Sequence, residues 1–456
     1  MLPNSRMNRL KSIEMLLKAN HRTALKTFRS LRCVWTVANL FFATTSIVAH
    51  AQSTGTTSGE AMPPMTLQLS DSIAQGHLLL EVRPRYALIT ESAKREKTDV
   101  WTVRTSLGWQ TAPFYDVRLT AEFLYVDFLG ASGRVNTDPS KFFASNYPLL
   151  PDPPYSGVNQ LFADYGGFPS TRVKLGRQIL RIDDERFISD VDFRQTPQVF
   201  DGVTIVNTSL PQTRIQLGEY RRIRTVLGGL NDLRLHVLHA AWNPLPDHTL
   251  AGYGYWHDQA ATGAQTGFAN NAQRIVGAHA EGGFALDESW RWMYYAGVAR
   301  QNQYGNGDSR IDANYRRIGM GIQTAGSATF GTWGARIDRE VKGSNGGIYG
   351  FQTPLTDYYA FNGWALQYTS TPRVGLIDTW LTARGQMQKL SLFTEYHRFR
   401  SDFGGLTLGR EFDVSVTYPI TPTLVAKLQQ AQFRAGSGAS VKNDVDKIWF
   451  TVTYKY

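Results

Sequence analysis

Guanidinium groups set on one face of extended chain are the residues in this sequence best placed to do chemistry. Arg83, Arg85, Arg104 and Arg118 come first, and Arg177, Arg194, Arg214, Arg222 and Arg224 follow, with Lys389 a later cation. Each arginine can grip a carboxylate bidentately, and a ring of them in a narrow, partly dehydrated passage would attract an acidic solute by several kT. Acids are interleaved at Glu81, Glu122, Asp201, Glu395, Glu411 and Asp413, and His397 stands beside Glu395. They would keep each affinity low, so that a solute leaves by exchanging many weak contacts. For any single pair the competing reading is a brace between two strands that never meets a solute. For the set as a whole, selectivity is the preferred reading.

Other chemistries find little support. There is no HExxH, GxSxG, P-loop or cysteine pair. Gly319-Met320-Gly321 lacks the third glycine of a dinucleotide loop. Asp183, Asp184 and Glu185 could hold a divalent cation, but such acid runs are more often simply solvated. Glu395 and His397 lack a positioned third partner for acid–base work. No catalytic residue, cofactor or metal is therefore expected. The formal charge of +10 would suit nucleic acid, yet residues 1–51 hold eight basic residues and one acid, leaving 40 basic against 37 acidic beyond them. The remaining basic residues are spread through the chain rather than blocked, which argues against a nucleic-acid partner.

The elements that must carry these charges are strands. Leu78, Leu80, Val82, Tyr86 and Leu88 share one face of a period-two segment, with Glu81, Arg83 and Arg85 on the other. Trp101, Val103, Leu107 and Trp109 oppose Arg104 and Ser106; Val117, Leu119, Ala121, Phe123 and Tyr125 oppose Arg118, Thr120 and Glu122. Charges on the same face of three consecutive strands make a costly dry core but a serviceable wet lumen. Short turns near 110–113, 166–170, 209–213, 243–248, 282–288, 325–328, 385–388 and 419–422 alternate with connections at 91–97, 128–157, 181–200, 226–232, 259–272, 303–312, 341–375, 401–408 and 435–445. This alternation predicts an all-β, up-and-down antiparallel transmembrane barrel of about eighteen strands over 77–456, with Gly363–Thr369 assigned to a loop. A final strand with Ile448, Phe450, Val452, Tyr454 and Tyr456 on one face resembles an outer-membrane insertion signal.

Ahead of the barrel, a basic stretch, the apolar run Val34–Val48 and Ala49-His50-Ala51 read as a signal peptide over 1–51. The run is too short and too polar for a membrane span. Residues 52–76, rich in Ser, Thr, Gly and Pro, are expected to be a flexible periplasmic segment. Cys33, the only cysteine, falls in the leader.

Gly176-Arg177-Gln178, Arg186, Phe193-Arg194-Gln195 and Phe200-Asp201-Gly202-Val203 together resemble the first half of the alginate-export outer-membrane porin family. Asn159–Tyr165 resembles the strand before them, Phe351–Asp378 the long loop of the second half, and Leu408–Ile420 a late strand with inward acids Glu411 and Asp413. Phe193 stands where the family usually has Trp, Leu366 where it often has Asp, no His accompanies Tyr358 and Tyr359, and Arg398 replaces the acid after His397. The resemblance implies a bacterial outer-membrane porin that passively conducts an anionic polysaccharide, with the 128–157 loop as a gate. Uptake of small organic acids and, less favoured, a barrel hydrolase are the alternatives. As partners we expect outer-membrane lipid, the barrel-assembly machinery and periplasmic secretion components around a monomer.

Overall fold

Alternating polar and apolar side chains demand extended chain, because only a period-two backbone sends successive side chains to opposite media. A computed structural model describes residues 64–130, 133–259, 270–327, 331–439 and 443–456. The expected signal peptide lies outside the described residues. One compact unit spans Gln68–Tyr456, and no described helix is long and apolar enough to cross a membrane.

The strands are β1 (His77–Glu91), β2 (Thr98–Gln110), β3 (Val117–Phe128), β4 (Tyr155–Phe168), β5 (Thr171–Gln178), β6 (Val199–Asn207), β7 (Thr213–Arg224), β8 (Leu230–Leu245), β9 (His248–Asp258), β10 (Gln273–Ala285), β11 (Trp290–Gln303), β12 (Asp312–Thr324), β13 (Thr332–Lys342), a small hairpin β14 (Ser344–Asn345) and β15 (Tyr349–Gly350), β16 (Leu376–Met387), β17 (Leu390–Arg400), β18 (Thr407–Thr421), β19 (Leu424–Ala435) and β20 (Val445–Lys455). All but the hairpin join one 18-stranded sheet. Each strand pairs antiparallel with its chain neighbours, and β1 closes the barrel by pairing with both β2 and β20, so that Tyr86 lies opposite Trp101 and Phe450. Closure leaves no open edge, the condition for a sheet in lipid. The nine long and eight short connections fall where the residue pattern places them, and 363–369 contains no strand.

The outer face carries exposed Leu119, Leu175, Leu238, Val298, Ile318, Ile337, Leu381 and Leu428, with Trp242, Trp290, Trp333 and Tyr418 near the short turns. An apolar band edged by aromatics is the signature of a lipid-facing barrel wall. One expectation changes. Within 52–76, Pro64–Ala74 forms a helix, α1. Its C-terminal end is tied to the β2–β3 turn, where Ala112 N donates to Ser72 O at 2.9 Å and Trp109 Nε1 donates to Ile73 O at 3.0 Å. That docking gives the turn partners that the composition of the segment does not reveal.

Candidate functional site

Two connections turn inward and pack against each other inside the barrel: the β5–β6 loop, 179–198, and the β13–β16 loop, 343–375. They are joined by a parallel bridge between Ile188 and Leu355, by Ser189 N donating to Leu355 O (2.9 Å) and by Asp357 N donating to Glu185 O (3.1 Å). Phe193 of one loop stacks on Tyr359 of the other, with centroids 3.4 Å apart and planes within 4°. The Pro-rich β3–β4 loop behaves differently. Its described part packs on the β1–β2 rim, where Thr98 Oγ1 donates to Pro148 O, and its end reaches inward at Leu150, buried in the cluster that holds Tyr359 and Trp364, and at Asp152, which accepts from Gln195 N at 3.0 Å.

The first inward loop is held by the arginines of β1 and β2. Arg104 Nη1 and Arg83 Nη2 both donate to Asp192 Oδ1, at 2.7 and 3.0 Å, while Arg83 Nη1 donates to the Asp192 carbonyl at 2.7 Å. Arg85 Nη1 donates to Phe193 O at 2.6 Å and lies over the Phe193 ring. Burial pushes the Asp192 carboxyl up, but Arg83 and Arg104 outweigh that and hold it well below the usual carboxylate range. Glu81 also neutralises Arg83 and Arg104, at 2.9 and 3.3 Å. Arg194, buried in the same loop, faces Asp152 at 3.9 Å.

The second loop is held by β13 and β16–β18, mainly by acids. Arg186, from the first loop, forms a fully buried fork with Glu340 of β13, at 2.6 and 2.5 Å, and also donates to Thr356 and Asn362. Lys342 Nζ donates to Asn362 Oδ1 at 2.7 Å. Asp413 and Glu411 accept from the backbone N–H groups of Trp364 (3.2 Å) and Ala365 (2.5 Å). Gly363 makes this approach feasible: its φ is +82°, and a Cβ there would overlap the Glu411 carboxylate. His397 Nδ1 lies 3.0 Å from Asp378 Oδ2, and its Nε2 is 3.4 Å from Glu395, which also accepts from Thr382. Glu395, His397 and Asp413 bring one potential ligand atom each within 4.8 Å of one another. Asp413 Oδ2 already holds Trp364 N, and His397 lies between Asp378 and Glu395, so the geometry reads as a hydrogen-bonded anchor.

Most of the candidate set converges on this interior. Arg83, Arg85, Arg104, Arg194, Glu395, His397, Glu411 and Asp413 are buried against the two loops. Glu122 faces inward and accepts from Asn159 and Gln160. Arg118, opposite Asp164 and beside buried Thr120, and Arg214, beside Arg172 and Lys174, face the short-turn half of the lumen. Neither makes an ion pair or side-chain hydrogen bond among the described residues.

Five candidates lie elsewhere. Arg177 and Asp201 share the outer face with exposed Leu161 and Leu175, and they form a bidentate pair at 2.7 and 2.8 Å that offsets their charge beside lipid. Arg222 also faces outward, because bulges at Asp201/Gly202 and Tyr220/Arg222 reverse the local parity. Arg224 is embedded in the wall beyond the end of β5, donating to Asn159, Pro197 O and Val158 O. Lys389 sits exposed on the short β16–β17 turn. The residue pattern also passes over Asp192, Glu340, Lys342 and Asp378. The inward set Arg336, Asp338, Glu340 and Lys342 does alternate along β13, but outward Arg339 interrupts the contrast.

Comparison with known proteins agrees with the barrel fold. Residues 140–340 match the model of the family described as Alginate export; that span holds the motif blocks from Asn159 to Val203 and not those of the second half. No curated protein matches the chain at a significant level. The fold is shared with Pseudomonas aeruginosa OpdK, solved with vanillate (TM-score 0.60, 14% identity, 83% of this chain and 98% of that one). It is shared equally with OpdL (0.60, 16%, 84% and 99%) and OccK9, also called OpdG (0.61, 16%, 84% and 99%), from the same organism. The chain is thus a porin-type β-barrel of the bacterial outer membrane whose central segment, residues 140–340, is similar to the alginate-export family.

Proposed function

We propose that the barrel passively conducts carboxylate-bearing solutes, with acidic sugar polymers or their oligomers as the first candidates. What supports this is the inward placement of five arginines. Arg83, Arg85 and Arg104 stand at the loop constriction, and Arg118 and Arg214 leave their guanidinium groups uncompensated below it. A carboxylate moving along such a wall replaces some of its hydration with bidentate contacts, and the acids nearby keep every stop shallow. The loops bear on selectivity because they bring Asp192 against Arg83 and Arg104, setting how much positive charge the constriction shows. In this reading the protein is a monomeric channel without catalytic, metal or cofactor chemistry, inserted by the barrel-assembly machinery. Periplasmic secretion components would feed it where the solute is a polymer.

A second reading, passage of small organic acids, is favoured by the tightly packed loops and by the shared fold with a porin solved with vanillate. Planar-bilayer recordings with uronate oligomers and with monomeric aromatic acids as blockers separate the two. Anion preference that weakens in Arg104→Ser and Arg118→Ser supports the lining; cation preference, or indifference to both substitutions, overturns it. Block by oligomers but not by monomeric acids supports the polymer.

A further inference from the structure

Outside the barrel, one sector of the wall carries arginines that the channel does not use. Arg316 (β12), Arg339 (β13), Arg398 (β17) and Arg410 (β18) all point outward and are exposed. Each lies within four residues of the long-loop end of its strand. That end is extracellular in a barrel of this topology. The register makes them neighbours. Arg339 lies opposite Thr379, Thr379 opposite Arg398, and Arg398 directly opposite Arg410. Adjacent strands are about 4.8 Å apart, so Arg339 to Arg410 spans about 14 Å.

Their partners fall short of their charge. Arg339 has only the Thr379 hydroxyl, at 3.2 Å. Arg316, Arg398 and Arg410 make no ion pair or side-chain hydrogen bond among the described residues. Like charges directly opposite on a sheet repel, and beside hydrocarbon an uncompensated guanidinium is costlier still. The other side of the barrel differs. Near the same end, β2 and β3 present Asp99 and Asp127, and Arg177 and Arg221 are paired with Asp201 and Glu219. Outward Arg234 (β8) and Arg274 (β10), near the same end, are likewise without an ion pair among the described residues, so the cationic side runs on from this sector towards β8 and its charge is not met by acids of the described chain.

A second feature adjoins it. A groove of about 1030 Å³ runs along the outer wall, with Leu250, Ala278, Val298 and Ile318 in its lining and Arg316, Arg339 and Asp402 among its polar residues; the Asp402 carboxylate accepts from Ser344 N and pairs with neither arginine. Small alanine side chains flanked by larger aliphatic ones make the wall concave there. Apolar walls below and unpaired guanidinium groups above fit a molecule with hydrocarbon chains and a phosphorylated head, since guanidinium pairs bidentately with phosphate.

We propose that this sector is a binding site for a phosphorylated glycolipid of the outer leaflet, its phosphates on Arg316, Arg398 and Arg410 and an acyl chain in the groove. The sugar polymer of the channel is the rival anion, and the test separates them. The full barrel in detergent is titrated by native mass spectrometry with bisphosphorylated lipid A, monophosphoryl lipid A and phosphatidylethanolamine. The expected result is retention in that order, with bisphosphorylated lipid A held at least about tenfold above phosphatidylethanolamine, a factor worth about 1.4 kcal/mol. The R316Q/R398Q/R410Q variant should lose that margin, and the corresponding triple Lys variant should keep part of it. Heat-modifiable gel mobility reports whether each barrel is folded; if the triple Gln variant is not, R398Q and R410Q singly carry the same readout. Equal retention of all three lipids by the wild type overturns the proposal, as does unchanged lipid A binding in folded Gln variants. Uronate-oligomer binding lost with these substitutions while lipid A binding persists would also overturn it.

Discussion

Asp192→Asn isolates the charge balance at the constriction. The substitution keeps the side chain's shape while removing the negative charge shared by Arg104 (2.7 Å) and Arg83 (3.0 Å). Two charge-assisted bonds become ordinary ones, a loss of about 1 kcal/mol each. The loop should stay in place, because Arg83 and Arg85 still donate to the carbonyls of Asp192 and Phe193 and the Phe193–Tyr359 stack is untouched. What changes is the field. A unit charge about 6 Å from a passing carboxylate is worth about 0.7 kcal/mol at the dielectric constant of water and about 2.8 kcal/mol at an effective value of 20. Salt at 0.1 M screens over about 10 Å, which favours the lower figure. The anion-to-cation permeability ratio, from reversal potentials across a salt gradient, should therefore rise at least about threefold, and the gain should shrink at 1 M salt. A ratio that falls or stays fixed while conductance is unchanged would refute the assignment of these arginines to the passage.

Arg186→Met leaves Glu340 without its partner at 0% side-chain exposure, a loss of about 3–5 kcal/mol for a broken buried pair; R186M/E340Q should recover much of it, both read by heat-modifiable gel mobility. Gly363→Ala forces a Cβ into the Glu411 carboxylate at positive φ and should cost at least about 1 kcal/mol, seen as noisier open-channel current and faster proteolytic nicking of the 343–375 loop. The junction of the two loops also predicts a pH effect. Burial raises the carboxyls of Glu185, Asp190 and Asp357 above their usual range, with Arg181 partly opposing this at Asp190. The packed loops thus bind protons more tightly than released loops, so this stabilisation is full below the ordinary carboxylate range and is lost as pH rises through the raised values. Asp192, shifted the other way, stays ionised until far lower pH. Single-channel conductance should accordingly be lower, with fewer flickers, at pH 5 than at pH 7; the reverse trend counts against loop packing as the controlling state.

Much of the barrel was legible in the residues themselves. Period two is a property of the strand backbone, so the inward placement of Arg83, Arg85 and Arg104 against outward Leu88 and Trp101 follows from parity alone. The alternation of short and long connections likewise counts the strands, because each crossing must return through the same thickness of lipid. Parity is reliable only while the count is unbroken. Single-residue bulges at Asp201/Gly202 and Tyr220/Arg222 help turn Arg222 to the outside, and a bulge leaves no mark in composition.

What the tertiary structure decided was where the loops go. Nothing local in 179–198 or 343–375 says that they fold inward; that depends on partners more than a hundred residues away, as Arg83 is from Asp192 and Arg186 from Glu340. Residue alternation alone specifies a two-faced wall, oil on one side and water on the other. Only the closed barrel determined which charges on the wet face are spent holding loops and which, like Arg118 and Arg214, keep no ionic partner among the described residues. Neutralisation depends on distances between elements far apart in the chain, and those distances exist only once the sheet has closed.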